Sequence, residues 1–173
     1  MSLPELIELS RADFITIDAL GPPGERTFYL QASQDDVLIT LIIEKEHAAA
    51  MSIAVSGLLE QLGEPESEPE PVGLDLVHPV EPLFRVGRLG LGYDQARDML
   101  VVMAEELAEE DAPQKTRVYI WASRAQMAAL ARKAATVVAS GRPICLLCGE
   151  PIDPDEKHVC VRGNGRKHIG AQA

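Results

Sequence analysis

Three strand-like segments followed by one helical segment are the feature that most constrains the fold of this chain. Residues 14–20, 27–33 and 37–43 carry the β-branched residues or the two-residue alternation of strands, with short turns between them. The last of the three is apolar on both faces, which predicts a central, covered strand. The apolar period then becomes helical, and Gly63 and Pro65 end this helix. Its apolar side is formed by Met51, Ala54, Val55, Leu58 and Leu62.

The same order of segments recurs in the second half of the chain. Residues 83–93, 99–103 and 116–122 predict three further strands. In the first of them the apolar phase slips at Gly87, which predicts a β-bulge. A bulge explains the sequence GRLGLG at residues 87–92 better than a phosphate-binding loop does, because the third glycine of that motif and a lysine are missing.

A second helix is predicted after these strands. Ser123 and Gln126 have the spacing of a capping box at its start, and Gly141 and Pro143 end it. Its apolar side is formed by Met127, Leu130, Ala131, Ala134 and Val138. The helix therefore repeats the apolar spacing of the first one.

These segments predict an α+β domain in residues 1–141, with antiparallel strands and two packed helices. The βββα order occurs in residues 12–63 and again in residues 83–141, and the sequence leaves open whether the halves are an internal duplication. Residues 64–72, which begin EPESEPEP, alternate glutamate with proline or serine and predict an extended acidic linker. Residues 142–173 differ in character and are expected to form a zinc-binding tail.

Arg117, Tyr119 and Trp121 share one face of the last predicted strand. If the helices cover that face, the three residues belong to the core. If solvent covers it, they form a binding patch. We expect Trp121 to be a core residue, because large aromatic side chains are buried on average.

Charge and composition narrow the class of protein. The formal net charge of −11 repels phosphate backbones and argues against general nucleic-acid binding. No apolar run approaches the roughly 20 residues of a membrane span, and the first residues lack the pattern of a secretory signal. Three cysteines, an odd number, do not suit a secreted disulfide framework, so we expect a cytoplasmic protein with reduced thiols.

All three cysteines lie within sixteen residues of the C-terminal tail. Cys145 and Cys148 form a Cys-x-x-Cys turn, and Gly149 after it allows backbone N–H groups to approach the thiolates. His158 and Cys160 are two residues apart, so an extended chain would point both to the same side. Together these four residues make a Cys3His set, which predicts one tetrahedral zinc in a small zinc-ribbon-like element.

Two alternatives to this site stay open at the level of sequence. The Cys-x-x-Cys pair could be a redox dithiol, although such pairs usually open a helix after a strand. His168 competes with His158 as the fourth ligand, but it has no local geometry to place it. Four protein ligands close the zinc shell, which favours a structural metal; without His158 a position for water would be open.

The tail and two further stretches carry a resemblance to a known family. The stretches are FRVGRLGLGYD at residues 84–94 and WASRAQMAAL at residues 121–130. The tail residues concerned are Cys145, Cys148, Gly149, Pro151, Asp153, Pro154, His158, Cys160, Arg162, Asn164 and Gly165. In these residues the sequence resembles a bacterial family of unknown function, the domain-of-unknown-function family three-zero-nine-zero. The resemblance implies a cytoplasmic bacterial protein with a metal-binding tail, and it implies no established activity.

The leading functional hypothesis is a non-catalytic zinc-binding protein that acts through a protein partner or as an accessory subunit. The first alternative is a phosphate-directed enzyme with a cleft lined by Arg85, Arg88 and Arg162. The second is nucleic-acid binding through the basic stretch at residues 162–168, which the acidic composition of the chain opposes. No catalytic residue is nominated by the sequence.

Overall fold

The computed structural model describes residues 6–22, 24–63, 71, 73–109, 111–112 and 114–140. The strands are β1 (Leu6–Leu9), β2 (Phe14–Leu20), β3 (Thr27–Gln34), β4 (Val37–Ile43), β5 (Val86–Asp94), β6 (Met99–Glu106) and β7 (Arg117–Ala122). The helices are α1 (Lys45–Leu62) and α2 (Arg124–Ala139). Strands in sheets with two helices confirm the predicted α+β class.

The first three-stranded sheet is an antiparallel meander in the order β2-β3-β4. Gly21 opens the β2–β3 turn at φ 114°, where an added Cβ would lie 2.8 Å from the carbonyl oxygen of Glu25. Asp35 takes φ 54° in the tight β3–β4 turn. Glycine and aspartate both tolerate a positive φ, so these residues allow the two turns that set the pairing of β2, β3 and β4.

The second sheet has four strands in the order β1-β7-β6-β5. Its register shifts between Val86 and Arg88, which confirms the bulge predicted at Gly87. An added Cβ on Gly87 would lie 3.0 Å from Leu107 Cα, so the close approach of the backbone needs glycine.

β1 was not predicted, and it pairs with β7 in parallel. The second sheet is therefore mixed, with this parallel pair beside the antiparallel pairs that the sequence predicts. The four residues LIEL are too few to show the alternation of a strand. Their partner β7 lies more than a hundred residues later in the sequence, so no local pattern indicates the pairing.

The two sheets are joined where β4 meets the segment before β5. Leu83 N donates to Thr40 O at 2.8 Å, and Ile42 N donates to Phe84 O at 3.0 Å. β4 is thus paired on both sides, as its apolar sequence predicts, although the second partner is a short irregular segment. Its middle residues Ile39 to Leu41 are buried in consequence.

The helices pack antiparallel against each other. Ser52 Oγ in α1 donates to Ala131 O in α2 at 2.9 Å, and Arg124 at the start of α2 reaches Leu62 O at the end of α1. The predicted apolar side of α2 is confirmed, since all but the half-buried Val138 of its five residues are buried.

The prediction of the apolar side of α1 is wrong at one residue. Ala54 is exposed, while Ala48, Met51 and Val55 are the buried residues of this helix. Only a narrow side of α1 faces the core, because α2 and the sheets contact it from one direction.

The two halves of the domain share the order of a three-stranded meander followed by a helix. The predicted half-units, and their origin by duplication, stay a prediction. Most of the predicted acidic linker, residues 64–70 and 72, and the whole predicted tail lie outside the described residues. Neither helix of the described chain is long and apolar enough to cross a membrane.

A buried amide anchors the long connection between α1 and β5. Gln31 on β3 is fully buried, and its Nε2 donates to Thr40 Oγ1 at 3.0 Å and to Val77 O at 3.1 Å. Its Oε1 accepts from Val77 N at 2.7 Å. Thr16 Oγ1 adds a bond of 2.5 Å to Leu74 O. The connection therefore lies against the β2-β3-β4 sheet through side chain–backbone bonds rather than through a strand.

Replacing Gln31 by leucine should be strongly destabilising. The substitution Gln31→Leu leaves both backbone groups of Val77 without their partner, so the free energy of unfolding should fall by about 2–4 kcal/mol. Urea denaturation measures this change. Gln34→Leu on the same strand is the matched control, because its hydrogen bonds to Arg11 N and Ser10 Oγ are exposed. Equal losses in the two variants would contradict this role for the buried amide.

Candidate functional site

A cleft of about 760 Å³ lies at the end of the domain where α2 begins. Four parts of the chain line it: the β1–β2 connection with Arg11, the β5–β6 turn with Arg97 and Asp98, the first turn of α2 after Ser123, and Leu74 of the α1–β5 connection. Its volume is within the range of small-molecule sites, which is roughly 300–1,000 Å³. It is therefore the candidate site of the described chain.

The start of α2 holds the wall of this cleft in place. Ser123 Oγ accepts from Gln126 N, and Gln126 Oε1 accepts from Ser123 N at 2.8 Å, which confirms the predicted capping box. The amide of Gln126 also donates to Ala12 O at 2.8 Å, while Ala12 N donates to Trp121 O at 2.8 Å. One capping residue thus ties the β1–β2 connection to the helix.

Arg124 connects three elements behind the cleft. Its Nε donates to Asp98 Oδ1 at 2.7 Å, and its Nη2 donates to Tyr93 Oη at 3.3 Å. Its Nη1 donates to Leu62 O at 2.8 Å and to Gly63 O at 3.2 Å. The planar guanidinium can serve all these acceptors at once, because its donors lie in a fixed fork. It caps the C-terminal carbonyls of α1 and anchors the β5–β6 turn.

Asp98 carries a negative charge, which the guanidinium of Arg124 balances. Tyr93 Oη donates to its Oδ1 at 2.7 Å, and this hydrogen bond, followed by the one from Arg124, holds the pKa of Asp98 below 3.8. Asp98 itself takes φ 51°, a conformation that aspartate tolerates in turns. The carboxylate of Asp98 therefore stabilises the β5–β6 turn through its bonds to Tyr93 and Arg124.

Arg97 in the same turn stacks on Trp121, with its guanidinium carbon 3.9 Å from the ring centroid. Its Nε lies 3.3 Å from Asp94 Oδ2. Trp121 is half-buried, and it belongs to the face of β7 opposite to the buried Val118 and Ile120. The expectation that Trp121 is a core residue is wrong, because the helices cover the other face and Arg97 covers this one.

Arg85 and Arg88 do not line a common cavity among the described residues: neither lines the cleft at the start of α2, and only Arg88 lines a second, smaller groove. Arg88 lines a groove of about 160 Å³ on the outer face of the β5-β6-β7 sheet, with Glu105 and Arg117. Arg85 lies at the junction with β4 instead and pairs with Glu44 at 2.6 Å. The third predicted residue, Arg162, lies outside the described residues.

The predicted zinc ligands Cys145, Cys148, His158 and Cys160 also lie outside the described residues, as do the competing His168 and the basic stretch. Within the described part of the chain, no three His, Cys, Asp or Glu side chains are grouped so that they could hold a metal. The zinc site stays a prediction.

Sequence reasoning missed Arg11 and Arg97, which line the cleft, and Arg124, which lies behind it. One local signal was available for Arg124, since a residue directly after an N-cap serine lies in the first turn of a helix. Nothing local indicated Arg97 or Arg11, because their surroundings come from segments far apart in the sequence.

A family model matches most of the chain. The model described as "Protein of unknown function (DUF3090)" matches residues 7–160, so the match begins in β1 and ends at Cys160. No curated protein and no solved structure matches the chain. All four predicted zinc ligands lie inside the matched range.

Removing the hydroxyl of Tyr93 should raise the pKa of Asp98. In Tyr93→Phe the largest cause of the lowered pKa is gone, so the carboxyl should titrate closer to 3.8. NMR titration of the side-chain carboxyl measures this shift. Tyr119→Phe is the control, because Tyr119 lies on the outer face of β7 and should leave Asp98 unchanged. An unchanged pKa in Tyr93→Phe would contradict the assignment.

The same pair predicts how stability depends on pH. Because the pKa of Asp98 is lowered on folding, its contribution is complete above the unfolded-state pKa and is lost as pH falls through the folded pKa. The stability difference between the wild type and Asp98→Asn should therefore be constant near neutral pH and should shrink below pH 3.8. Urea denaturation at several pH values measures it. A difference that grows on acidification would contradict the pairing.

Proposed function

Because this chain belongs to the DUF3090 family of proteins of unknown function, its role has to be argued from its own residues, and we propose that it is a zinc-binding accessory protein. Cys145, Cys148, His158 and Cys160 would hold one structural zinc. The observation that carries this proposal is the donor set, since three thiolates and one imidazole within sixteen residues are a complete tetrahedral shell for zinc.

The family match supports the proposal through its extent. The matched range runs to Cys160, so the segment with the four donors belongs to the region that defines the family and is not an unrelated appendage. A zinc tail needs reduced thiols, which is why we place the protein in the cytoplasm.

The described residues support a firm attachment for such a tail. Arg26 Nη1 donates to Val137 O at 2.8 Å and to Ser140 Oγ at 3.1 Å, and its guanidinium carbon lies 4.8 Å from the centroid of the Phe28 ring. The last turn of α2 is thus tied to β3, on a domain that has its own apolar core. The helix that precedes the predicted tail is therefore held in place as far as Ser140, its last described neighbour.

A non-catalytic role follows from the closed shell. Four protein ligands leave no position for water or substrate, so zinc in this set supplies folding free energy and not Lewis-acid chemistry. A small element stabilised in this way presents its surface to another molecule. We therefore propose a protein partner for this protein, in keeping with its acidic composition, which disfavours nucleic acid.

Loss of one thiolate should remove the metal and leave the domain folded. Cys148→Ser should reduce bound zinc from about one per chain to a small fraction of that, because a serine hydroxyl is a poor substitute for a thiolate. The thermal transition of the α+β domain, followed by circular dichroism, should stay cooperative. Loss of the whole transition would instead show that the metal site is integral to the core.

The identity of the fourth ligand is tested by a matched histidine pair. His158→Ala should weaken the affinity for zinc by roughly a hundredfold or more. The corresponding loss, about 3 kcal/mol, is about a quarter of the binding free energy of a structural zinc site. His168→Ala should leave the affinity unchanged. Competition with a chromophoric chelator measures both. A large loss in His168→Ala with none in His158→Ala would overturn the assignment of His158.

A further inference from the structure

We propose that the cleft at the start of α2 binds a small organic anion, an oxyanion group carried on an apolar body, through Arg11 and Arg97. This inference concerns a site separate from the proposed zinc tail. It rests on two guanidinium groups that line the cleft and keep donors without a partner among the described residues, and on the apolar side chains that line it beside them.

The carboxylates of the cleft already have partners. Asp98 accepts hydrogen bonds from Tyr93 and Arg124, and the guanidinium of Arg124 balances its charge. Asp13 Oδ2 accepts from the backbone N–H of Asp35 at 2.7 Å. Both carboxylates are thus held by hydrogen bonds within the protein, although Asp13 keeps its charge.

The cations of the cleft keep free donors. The guanidinium of Arg11 makes no ion pair or hydrogen bond with the described residues, although the backbone N–H of Arg11 donates to Gln34. Arg97 pairs only through its Nε with Asp94, and its two Nη groups have no acceptor among the described residues. These guanidinium groups therefore offer donors that suit an oxyanion.

Arg97 is also held in position before any ligand arrives. The stack on Trp121 and the contact with Asp94 restrict its side chain from two directions. A guanidinium fixed in this way loses little conformational entropy when it binds a carboxylate or phosphate. This preorganisation distinguishes Arg97 from an ordinary surface arginine.

Apolar side chains form part of the lining of the cleft. Ile15 and Ala125 are buried and Phe14 and Met99 are half-buried, and all four line the cavity. Inorganic phosphate alone would leave this surface in water. A ligand with an apolar body beside its charged group would cover it, and this contact would contribute affinity in proportion to the apolar area removed from water.

The probe for this site is 1-anilinonaphthalene-8-sulfonate, which combines an aromatic body with an oxyanion. Its fluorescence should rise on binding to the full-length native protein at neutral pH. Arg11→Gln should weaken its binding by about tenfold, the loss expected of one charge-assisted hydrogen bond. The guanidinium of Arg11 has no partner in the part of the chain that the structure describes, so this variant should keep the melting temperature of the wild type. Arg88→Gln is the matched control, because Arg88 lies in the other groove.

Competition then identifies the oxyanion. Displacement of the probe by octanoate but not by phenyl phosphate indicates a carboxylate ligand, and the reverse indicates a phosphate monoester; either result supports the proposal. Trp121 is the only tryptophan of the chain, so its emission should also change when a ligand meets Arg97. Equal probe binding in the wild type, Arg11→Gln and Arg97→Gln would overturn the proposal, as would displacement by neither anion.

Discussion

The guanidinium of Arg124 joins three elements that no sheet hydrogen bond connects. It binds the last carbonyls of α1, the carboxylate of Asp98 and the hydroxyl of Tyr93, and it belongs to the first turn of α2. The antiparallel helix pair and the β5–β6 turn are therefore held at one end of the domain. The cleft is the space in front of this junction, and its shape depends on the junction being intact.

The cleft lies at one end of α2, and Ser140, the last described residue of the chain, lies at the other. The cleft is formed around the first turn, and Arg26, just before β3, holds the last turn. A helix of sixteen residues separates these points by about 24 Å. The predicted zinc tail begins at residue 142. Because the two proposals rest on different residues, loss of zinc and loss of anion binding are expected to be independent.

Much of the fold could be predicted because its signals are local. The period of the apolar residues located six of the seven strands, the phase slip at Gly87 gave the bulge, and the spacing of Ser123 and Gln126 gave the start of α2. β1 was missed because four residues carry too little pattern. Trp121 was misplaced because alternation separates the two faces of a strand without saying which face the helices cover. The cleft could not be predicted, since its arginines converge from segments that only the tertiary fold brings together.

Zinc K-edge X-ray absorption of protein purified without a tag under anaerobic conditions tests the central claim most directly. The account predicts about one zinc per chain with three sulfur ligands at about 2.3 Å and one nitrogen ligand at about 2.0 Å. That result would identify a closed Cys3His site from the ligands themselves. Protein without zinc, or zinc surrounded mainly by oxygen and nitrogen, would contradict the account.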